Sequence, residues 1–325
     1  MSAERPPVPS APDAADPGAL DARAVRRAFS RAAATYDAAA VLQREIGGRM
    51  AARLDVVRLA PVAILDAGCG TGDALPHLAV RYPTARRVAL DLALPMLAAA
   101  RVRSDERSSL FTRLLGMVRG DDGPSPPPAY VCGDIVALPF AAGAFDLVWS
   151  NLAVQWVNEL PRALAEFRRV LKVGGLVSFT TFGPDTLKEL RAAFAGVDRH
   201  PHVSRFVDMH DIGDMLVQAG FADPVMDMEY LTLTYADAVA MMRDMKAIGA
   251  TNATLGRRRG LTGRGRWERA RSTLDGMRRD GRIPATFEVI YGHAWKVTPT
   301  RTADGRAIVQ VERRPGGEDP ARPLR

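Results

Sequence analysis

Three glycines stand at alternate positions in the stretch LDAGCGTGD, residues 65–73, directly after the apolar run 61–65. Because Gly68, Gly70 and Gly72 carry no Cβ, the backbone there can adopt positive φ, and its N–H groups can approach a ligand closely. The spacing differs from the Gly-x-Gly-x-x-Gly of dinucleotide sites, and no Gly-Lys-Ser/Thr of a P-loop follows. The pattern alone predicts either a ligand-binding turn or simply a tight turn.

Acidic residues follow the next two predicted strands. Asp91 ends an apolar segment 23 residues after Gly68, where a carboxylate can accept hydrogen bonds from both hydroxyls of a ribose. Asp134 follows the next strand, and the neighbouring Leu92 and Ile135 could form apolar walls for a purine. Each acid alone could equally be a solvated loop residue or a helix cap. Together with the glycine turn, they predict a ligand-binding site.

These residues require a sheet whose strands end at one edge. Between residues 61 and 182, short apolar strands alternate with helical segments, which predicts a parallel sheet covered by helices on both faces. In such a sheet, ligands bind beyond the carboxyl ends of the strands, where the strand order reverses. Helical spacing from residue 21 predicts two or three helices before the first strand, with a break near Gly47 and Gly48.

The chain has 325 residues, of which 47% are hydrophobic and 25% charged, enough to bury a full core. Residues 1–20 contain five prolines and are predicted to form a disordered tail. We predict a single domain over residues 21–312. Within it, residues 104–129 are predicted to form a surface insertion, and 183–285 to form substrate-side helices and insertions. Residues 313–325 are expected to form a loose tail.

Several classes of protein are not supported by the sequence. Cys69 and Cys132 are the only cysteines, too few for a disulfide framework or a four-ligand zinc site. His202 and His210 lack further metal ligands nearby, so we expect no metal. No apolar run reaches the roughly 18 residues of a membrane span, and the N-terminus lacks the apolar core of a signal peptide. We therefore expect a cytoplasmic protein without a membrane partner.

The formal net charge of +7 is unevenly distributed along the chain. Residues 256–325 contain 17 Arg or Lys against 8 Asp or Glu, and the densest part spans residues 257–282. Such a segment could bind an acidic partner or nucleic acid. It could equally be a solvated arginine-rich helix with its flanking loop.

The motifs LDAGCGTG, VALDLALPML, CGDIVALPF and FDLVWSNLAVQWV closely resemble those of the class I S-adenosylmethionine-dependent methyltransferases, over residues 27–182. The resemblance implies an α/β, Rossmann-like fold with a mostly parallel seven-stranded sheet, helices on both faces and a helical substrate cap. It also implies S-adenosyl-L-methionine as the cofactor.

The same resemblance assigns parts of the cofactor to individual residues. Asp66 and the glycine turn would hold the methionine part, and Asp91 would hold the ribose. Asp134 and Ile135 would contact the adenine, and Asn151 would form the wall below the sulfonium.

Further motifs narrow the family. FSRAAATYD, SNLAVQW, RHPHVSRF, MKAIGATNA and IPATFEVIYG resemble the malonyl-acyl-carrier-protein O-methyltransferases of biotin synthesis. DTLKELR, WVNELP and IPATFEVIYGHAWK are also similar to mitochondrial complex I assembly factors, which bind the same cofactor but hydroxylate an arginine. SNLAVQW and AIGATN favour the first family. A protein that holds the cofactor without turnover is the third alternative.

The substrate that this resemblance implies determines the chemistry we expect. A malonyl thioester has a free carboxylate that is already ionised at neutral pH, because carboxyl pKa values are about 4, so its methylation needs no general base. The candidate substrate-pocket residues are Tyr36, Gln155, Trp156 and Arg205. Arg205 is our candidate for a bidentate clamp on the carboxylate or thioester carbonyl, with a surface ion pair as the alternative. Trp156 could equally belong to the core.

The resemblance implies that the partner is an acyl carrier protein carrying malonyl. We expect no nucleic-acid partner. Because acyl carrier proteins typically have acidic surfaces, we predict that Arg257, Arg258 and Arg259 dock the carrier. The sequence leaves open whether the enzyme prefers the carrier protein or coenzyme A.

Overall fold

A seven-stranded sheet forms the centre of the structure, a computed structural model that describes residues 16–115 and 126–298. Its strands are β1 (Ala63–Ala67), β2 (Arg86–Asp91), β3 (Ala129–Cys132), β4 (Phe145–Asn151), β5 (Leu171–Phe182), β6 (Ala222–Tyr235) and β7 (Ile283–Trp295). They lie in the order β3-β2-β1-β4-β5-β7-β6. Strands β1 to β5 are parallel, and β7 is antiparallel to both of its neighbours. The prediction of a mostly parallel seven-stranded sheet is confirmed.

Helices connect the strands and precede the first one. They are α1 (Ala22–Ala32), α2 (Tyr36–Ala39), α3 (Val41–Arg53), α4 (Ala74–Arg81), α5 (Leu94–Leu115), α6 (Leu160–Val170), α7 (Lys188–Ala195), α8 (Met209–Gln218), α9 (Ala238–Ala247) and α10 (Arg264–Gly276). Three of them, α1, α8 and α9, begin after an aspartate whose carboxylate accepts a backbone N–H of the first turn, as N-cap residues do.

Both faces of the sheet are packed against helices. One apolar cluster joins the sheet to α3, α4, α7, α9 and α10, and a second joins it to α6 and α8. All five residues of β1 are buried, as expected for a central parallel strand with both faces covered. The predicted helices on both faces are therefore confirmed.

The strand order reverses at β1, which pairs with β2 on one side and with β4 on the other. The carboxyl ends of these three strands consequently meet at one edge. The turn that follows β1 carries the three glycines, and this is the position at which open α/β sheets bind their ligands.

The predicted helix break near Gly47 and Gly48 is wrong, because α3 runs through both residues. Tertiary packing outweighs the low helix propensity of glycine here. A Cβ on Gly47 would lie 3.1 Å from Nδ2 of Asn151, whereas one on Gly48 would meet nothing within 4 Å. Gly47 thus allows α3 to lie directly against the end of β4.

The predicted N-terminal tail ends earlier than residue 20. Leu20 is buried, its N–H donates to Asn158 Oδ1 at 2.7 Å, and its carbonyl accepts from Asn158 Nδ2 at 2.9 Å. In the predicted insertion, α5 extends to Leu115 and β3 begins at Ala129. The rest of the insertion, residues 116–125, and the predicted loose tail 313–325 lie outside the described residues.

The two glycines of α3 offer a matched test of this packing. Gly48→Ala should increase the free energy of unfolding by up to about 1 kcal/mol, because alanine has the higher helix propensity and the site is open. Gly47→Ala should gain less or lose stability, because its methyl group crowds the Asn151 amide. Urea unfolding of both variants measures the difference, and equal gains would contradict the close approach of α3 to β4.

Candidate active site

A cleft lies at the carboxyl end of β1, between the sheet and helices α2 and α3. The described residues that line it belong to the two helices, to the end of β1 and the turn after it, and to the end of β4. The residues include Tyr36, Asp37, Gln43, Arg44, Asp66, Gly68, Gly70, Thr71, Asp73 and Asn151. The cleft therefore joins parts of the chain that are more than a hundred residues apart.

The glycine turn is fixed by hydrogen bonds to the neighbouring strand. Gly68, Gly70 and Gly72 have φ of 83°, 54° and 76°, a region that side chains with a Cβ rarely adopt. The N–H of Gly68 donates to the carbonyl of Leu90 at 2.7 Å, and the N–H of Gly70 donates to Asp91 Oδ2 at 2.9 Å. A Cβ on Gly68 would come within 2.3 Å of the Ala153 Cβ. The turn is therefore tight for packing reasons, and it also lines the cleft.

Asp66, at the end of β1, is a buried carboxylate with an unused acceptor. Its side chain is only 2% exposed, and Oδ2 has no hydrogen-bond partner among the described residues. Burial, together with the negative charges of Asp91 and Asp73, raises its pKa to about 8. Among the described residues, Asp66 Oδ2 thus has neither a cation nor a hydrogen-bond donor as its partner.

Asp91, at the end of β2, is held by backbone donors. Its Oδ1 accepts from the Ala93 N–H at 2.8 Å, while Oδ2 accepts from Gly70. Burial raises the pKa of this carboxyl, and the N–H groups partly oppose the rise. Each oxygen retains a further lone pair, so the fixed carboxylate can still accept hydroxyl hydrogen bonds from a ligand.

The other predicted cofactor residues follow β2, β3 and β4. Leu92 is half-buried and Ile135 is buried. Asp134 Oδ1 accepts from the Val136 N–H at 3.1 Å, so it also stabilises its own turn. Asn151 donates from Nδ2 to the Gln43 carbonyl at 3.0 Å, and its Oδ1 accepts from Thr180 at 2.7 Å. The roles in cofactor binding assigned to these residues stay predictions.

A polar network that sequence analysis missed connects the helical cover to the glycine turn. Thr71, which is buried, donates to Asp37 Oδ1 at 2.5 Å. Arg103 bridges Asp37 and Asp73, at 3.1 and 2.7 Å. Asp37 stands in the motif FSRAAATYD, but nothing in its spacing indicates a partner 34 residues away.

The four predicted substrate-pocket residues are not gathered in one place. Tyr36 lines the cleft, and its burial beside three carboxylates raises the pKa of its phenol, which stays protonated. Gln155 donates to the Leu152 carbonyl at 2.9 Å and has a buried Oε1 without a described partner. Trp156 packs edge-to-face on Phe29 at 5.1 Å between ring centroids, in an apolar cluster formed with α1.

Two predictions about arginines need correction. Arg205 does not line the cleft; its side chain is 80% exposed and lies 3.6 Å from Asp16 Oδ2, which is the surface ion pair given as its alternative. Arg257 is not free to dock a partner, because it donates to the Thr254 carbonyl at 2.8 Å and to Asp21 at 3.1 Å. Both outcomes depend on residues distant in sequence, so the local motif could not reveal them.

Two further features, membrane-spanning helices and metal clusters, are absent from the residues that the structure describes. No described helix combines the length and apolar character needed to cross a membrane. No group of three or more His, Cys, Asp or Glu side chains in this part of the chain could hold a metal ion.

Comparison with known proteins identifies the family. A family model described as a methyltransferase domain matches residues 65–179. The malonyl-acyl-carrier-protein O-methyltransferase of Gallionella capsiferriformans is 54% identical over 292 residues, covering 90% of this chain and 97% of that protein. The protein of the same name from Laribacter hongkongensis is 54% identical over 89% of this chain and 95% of its own length. The chain belongs to the malonyl-acyl-carrier-protein O-methyltransferase family.

Solved structures support the fold of this methyltransferase. The YcgJ protein from Bacillus subtilis matches with a TM-score of 0.53 and 15% identity, over 77% of this chain and 98% of its own. A Bacillus halodurans protein described as a putative methyltransferase matches with a TM-score of 0.52 and 20% identity, over 77% and 99%. The predicted class I methyltransferase fold and the enzyme class, an S-adenosylmethionine-dependent methyltransferase, are confirmed. The resemblance to hydroxylating assembly factors is not favoured.

The buried Asp66 of the methyltransferase predicts a pH dependence of stability. The folded protein retains the Asp66 proton up to a pH of about 8, whereas the unfolded chain releases it near pH 4. Across that window the free energy of unfolding should fall as pH rises, by up to about 1.4 kcal/mol per pH unit, because the folded state binds more protons. The asparagine of the Asp66→Asn variant does not titrate. The ligand-free variant should therefore gain stability relative to the wild type as pH rises.

Urea unfolding across this pH range measures the effect. Asp214→Asn, which changes an exposed aspartate of α8, is the control and should follow the wild-type profile. Parallel profiles for wild type and Asp66→Asn would contradict the raised pKa of Asp66.

Proposed function

We propose that this enzyme transfers a methyl group from S-adenosyl-L-methionine to the free carboxylate of a malonyl group on acyl carrier protein, giving the methyl ester, as an early step of biotin synthesis. One observation carries the proposal: two relatives named for this reaction are 54% identical to the chain over nine-tenths of its length. The chemistry of the cleft is consistent with it.

The residues of the cleft fit the cofactor. S-Adenosyl-L-methionine has an ammonium group, a carboxylate and a sulfonium, and therefore carries a net positive charge. Asp66 offers a buried, unused carboxylate oxygen for the ammonium group. Asp37, Asp66 and Asp73 line the cleft, and Arg44 is the one cation among the described lining residues. Arg103 already pairs with Asp37 and Asp73, so Asp66 is the acid that a cationic group of the ligand can pair with.

When bound, the cofactor supplies an electrophilic methyl group, and the chain supplies position and a dry environment. The attacking malonyl carboxylate is already ionised, so the protein needs no general base. The neutral Tyr36 phenol, half-buried beside the glycine turn, can donate a hydrogen bond but cannot act as a base near neutral pH. Helices α2 and α3 cover the cleft, so a ligand bound there would be partly shielded from water. Orientation and desolvation of this kind can account for about 7–11 kcal/mol of the barrier.

The proposed docking surface for the carrier is the loop between α9 and α10. Arg259 is exposed, and Arg258 donates from Nε to the carbonyl of Leu261, which is itself 93% exposed. The exposed Arg205 lies on the same side, because residues 16–18 contact both Arg205 and Gly256. We therefore assign docking to Arg258 and Arg259 and omit Arg257, which stabilises the fold.

Mass spectrometry of the carrier tests the reaction. Malonyl-acyl carrier protein incubated with enzyme and cofactor should gain one CH₂, with one S-adenosylhomocysteine released per ester. Acetyl-acyl carrier protein should be unchanged, because it lacks the carboxylate that serves as nucleophile. No mass gain under conditions where cofactor binding is shown by calorimetry would refute the proposal.

Charge reversal tests the docking surface. The Arg258→Glu/Arg259→Glu double variant should raise the KM for malonyl-acyl carrier protein several-fold and weaken its dependence on salt, because rim charges steer association. Turnover of malonyl-coenzyme A, which has no protein surface, should be nearly unchanged.

The matched control is Arg86→Glu, which reverses an exposed arginine at the amino end of β2, away from the cleft. It should leave the KM for both substrates unchanged. Equal losses on both substrates in the double variant would show that the loop is structural instead.

A further inference from the structure

Arg44 is the one cationic side chain among the described residues that line the cleft. It lies on α3, eight residues after Tyr36, and its Nη1 donates to the backbone carbonyl of Asp37 at 2.6 Å. This bond uses one of the five N–H groups of the guanidinium. Among the side chains that the structure describes, in residues 16–105 and 126–298, Arg44 makes no ion pair and its Nε and Nη2 have no partner.

Asp66 on the opposite wall has the complementary property. Its Oδ2 is buried and unpartnered, and it too forms no ion pair within the described part of the chain. A guanidinium and a buried carboxyl group therefore line the same cleft without bonding to each other. A buried carboxylate of this kind costs free energy unless a ligand supplies its partner.

An α-amino acid group carries both complementary groups, because its ammonium and carboxylate are attached to one carbon. The planar guanidinium can bind a carboxylate through two parallel N–H bonds. The bond to the Asp37 carbonyl fixes the Arg44 side chain before the ligand arrives, which reduces the conformational entropy lost on binding.

We propose that Arg44 binds the α-carboxylate of S-adenosyl-L-methionine, opposite Asp66, which binds the α-ammonium. This inference rests on the proposed function and extends it, since no sequence motif or comparison assigns Arg44. A malonyl carboxylate fits the same position less well. It would bring a single negative charge beside Asp37, Asp66 and Asp73 and would leave Asp66 without a cation.

A binding cycle with two ligands tests the assignment without requiring turnover. The ligands are S-adenosylhomocysteine and its analogue that lacks only the α-carboxylate, and calorimetry gives the Kd of each. Wild type should bind S-adenosylhomocysteine about 10- to 100-fold more tightly than the analogue, the range expected for charged hydrogen bonds. In Arg44→Met this ratio should fall to near one, because affinity for the carboxylate ligand drops while affinity for the analogue stays the same.

Two variants serve as controls. Arg31→Met removes an exposed arginine of α1 and should keep the wild-type ratio. Arg44→Lys retains a positive charge but not the two parallel donors, so its ratio should be intermediate; it also substitutes for Arg44→Met if that variant does not fold. Asp66→Asn should weaken both ligands together, because both carry the ammonium group.

The outcomes separate this inference from the proposed function. An unchanged ratio in folded Arg44→Met would overturn the assignment. A ratio that falls equally in Arg31→Met would also overturn it, since a distant charge would then suffice. An increase in the KM for the malonyl substrate with the ratio intact would place Arg44 on the substrate side, against the inference. Failure of wild type to bind S-adenosylhomocysteine would instead refute the proposed cofactor.

Discussion

The hydrogen bond from the Gly70 N–H to the Asp91 carboxylate joins the two turns on which the cleft is built. It connects the loop after β1 to the end of β2, next to the bond from Gly68 to the Leu90 carbonyl. Because both turns lie where the strand order reverses, fixing them fixes the floor of the cleft. Asp66 and Asp91 are consequently brought close enough for the negative charge of Asp91 to add to the effect of burial in raising the pKa of Asp66.

The roof of the cleft depends on separate contacts. Asn151 attaches α3 to the end of β4, and the absence of a side chain at Gly47 allows the helix to come that close. Asp37 attaches α2 to Thr71 and Arg103. The glycine turn thus bonds both to the end of β2, at the base of the cleft, and to helix α2, which covers it.

The central sheet, the glycine turn and the acids at the strand ends could be predicted from the sequence, because each follows from local periodicity or from a motif. Asp37 and Arg44 could not be found in this way. Asp37 bonds to Thr71 and Arg103, which lie far along the chain. Arg44 lies on a helix whose sequence carries no ligand motif. Arg257 illustrates the same limit, because its partner Asp21 is 236 positions away. The run of three arginines predicted an interaction surface, although Arg257 itself stabilises the fold.

The attachment of α1 has a consequence for the order in which the enzyme is assembled. The Asp21 N–H donates to the Ala253 carbonyl, the Leu255 N–H donates to the Ala19 carbonyl, and the Thr35 hydroxyl donates to the Ala247 carbonyl. A ribosome makes these N-terminal residues first and their partners more than two hundred residues later. Until the segment after α9 has emerged, these bonds cannot form, and the N-terminal segment has only earlier partners such as Asn158. The strands at the base of the cleft are therefore synthesised before all the bonds that hold its N-terminal cover can form.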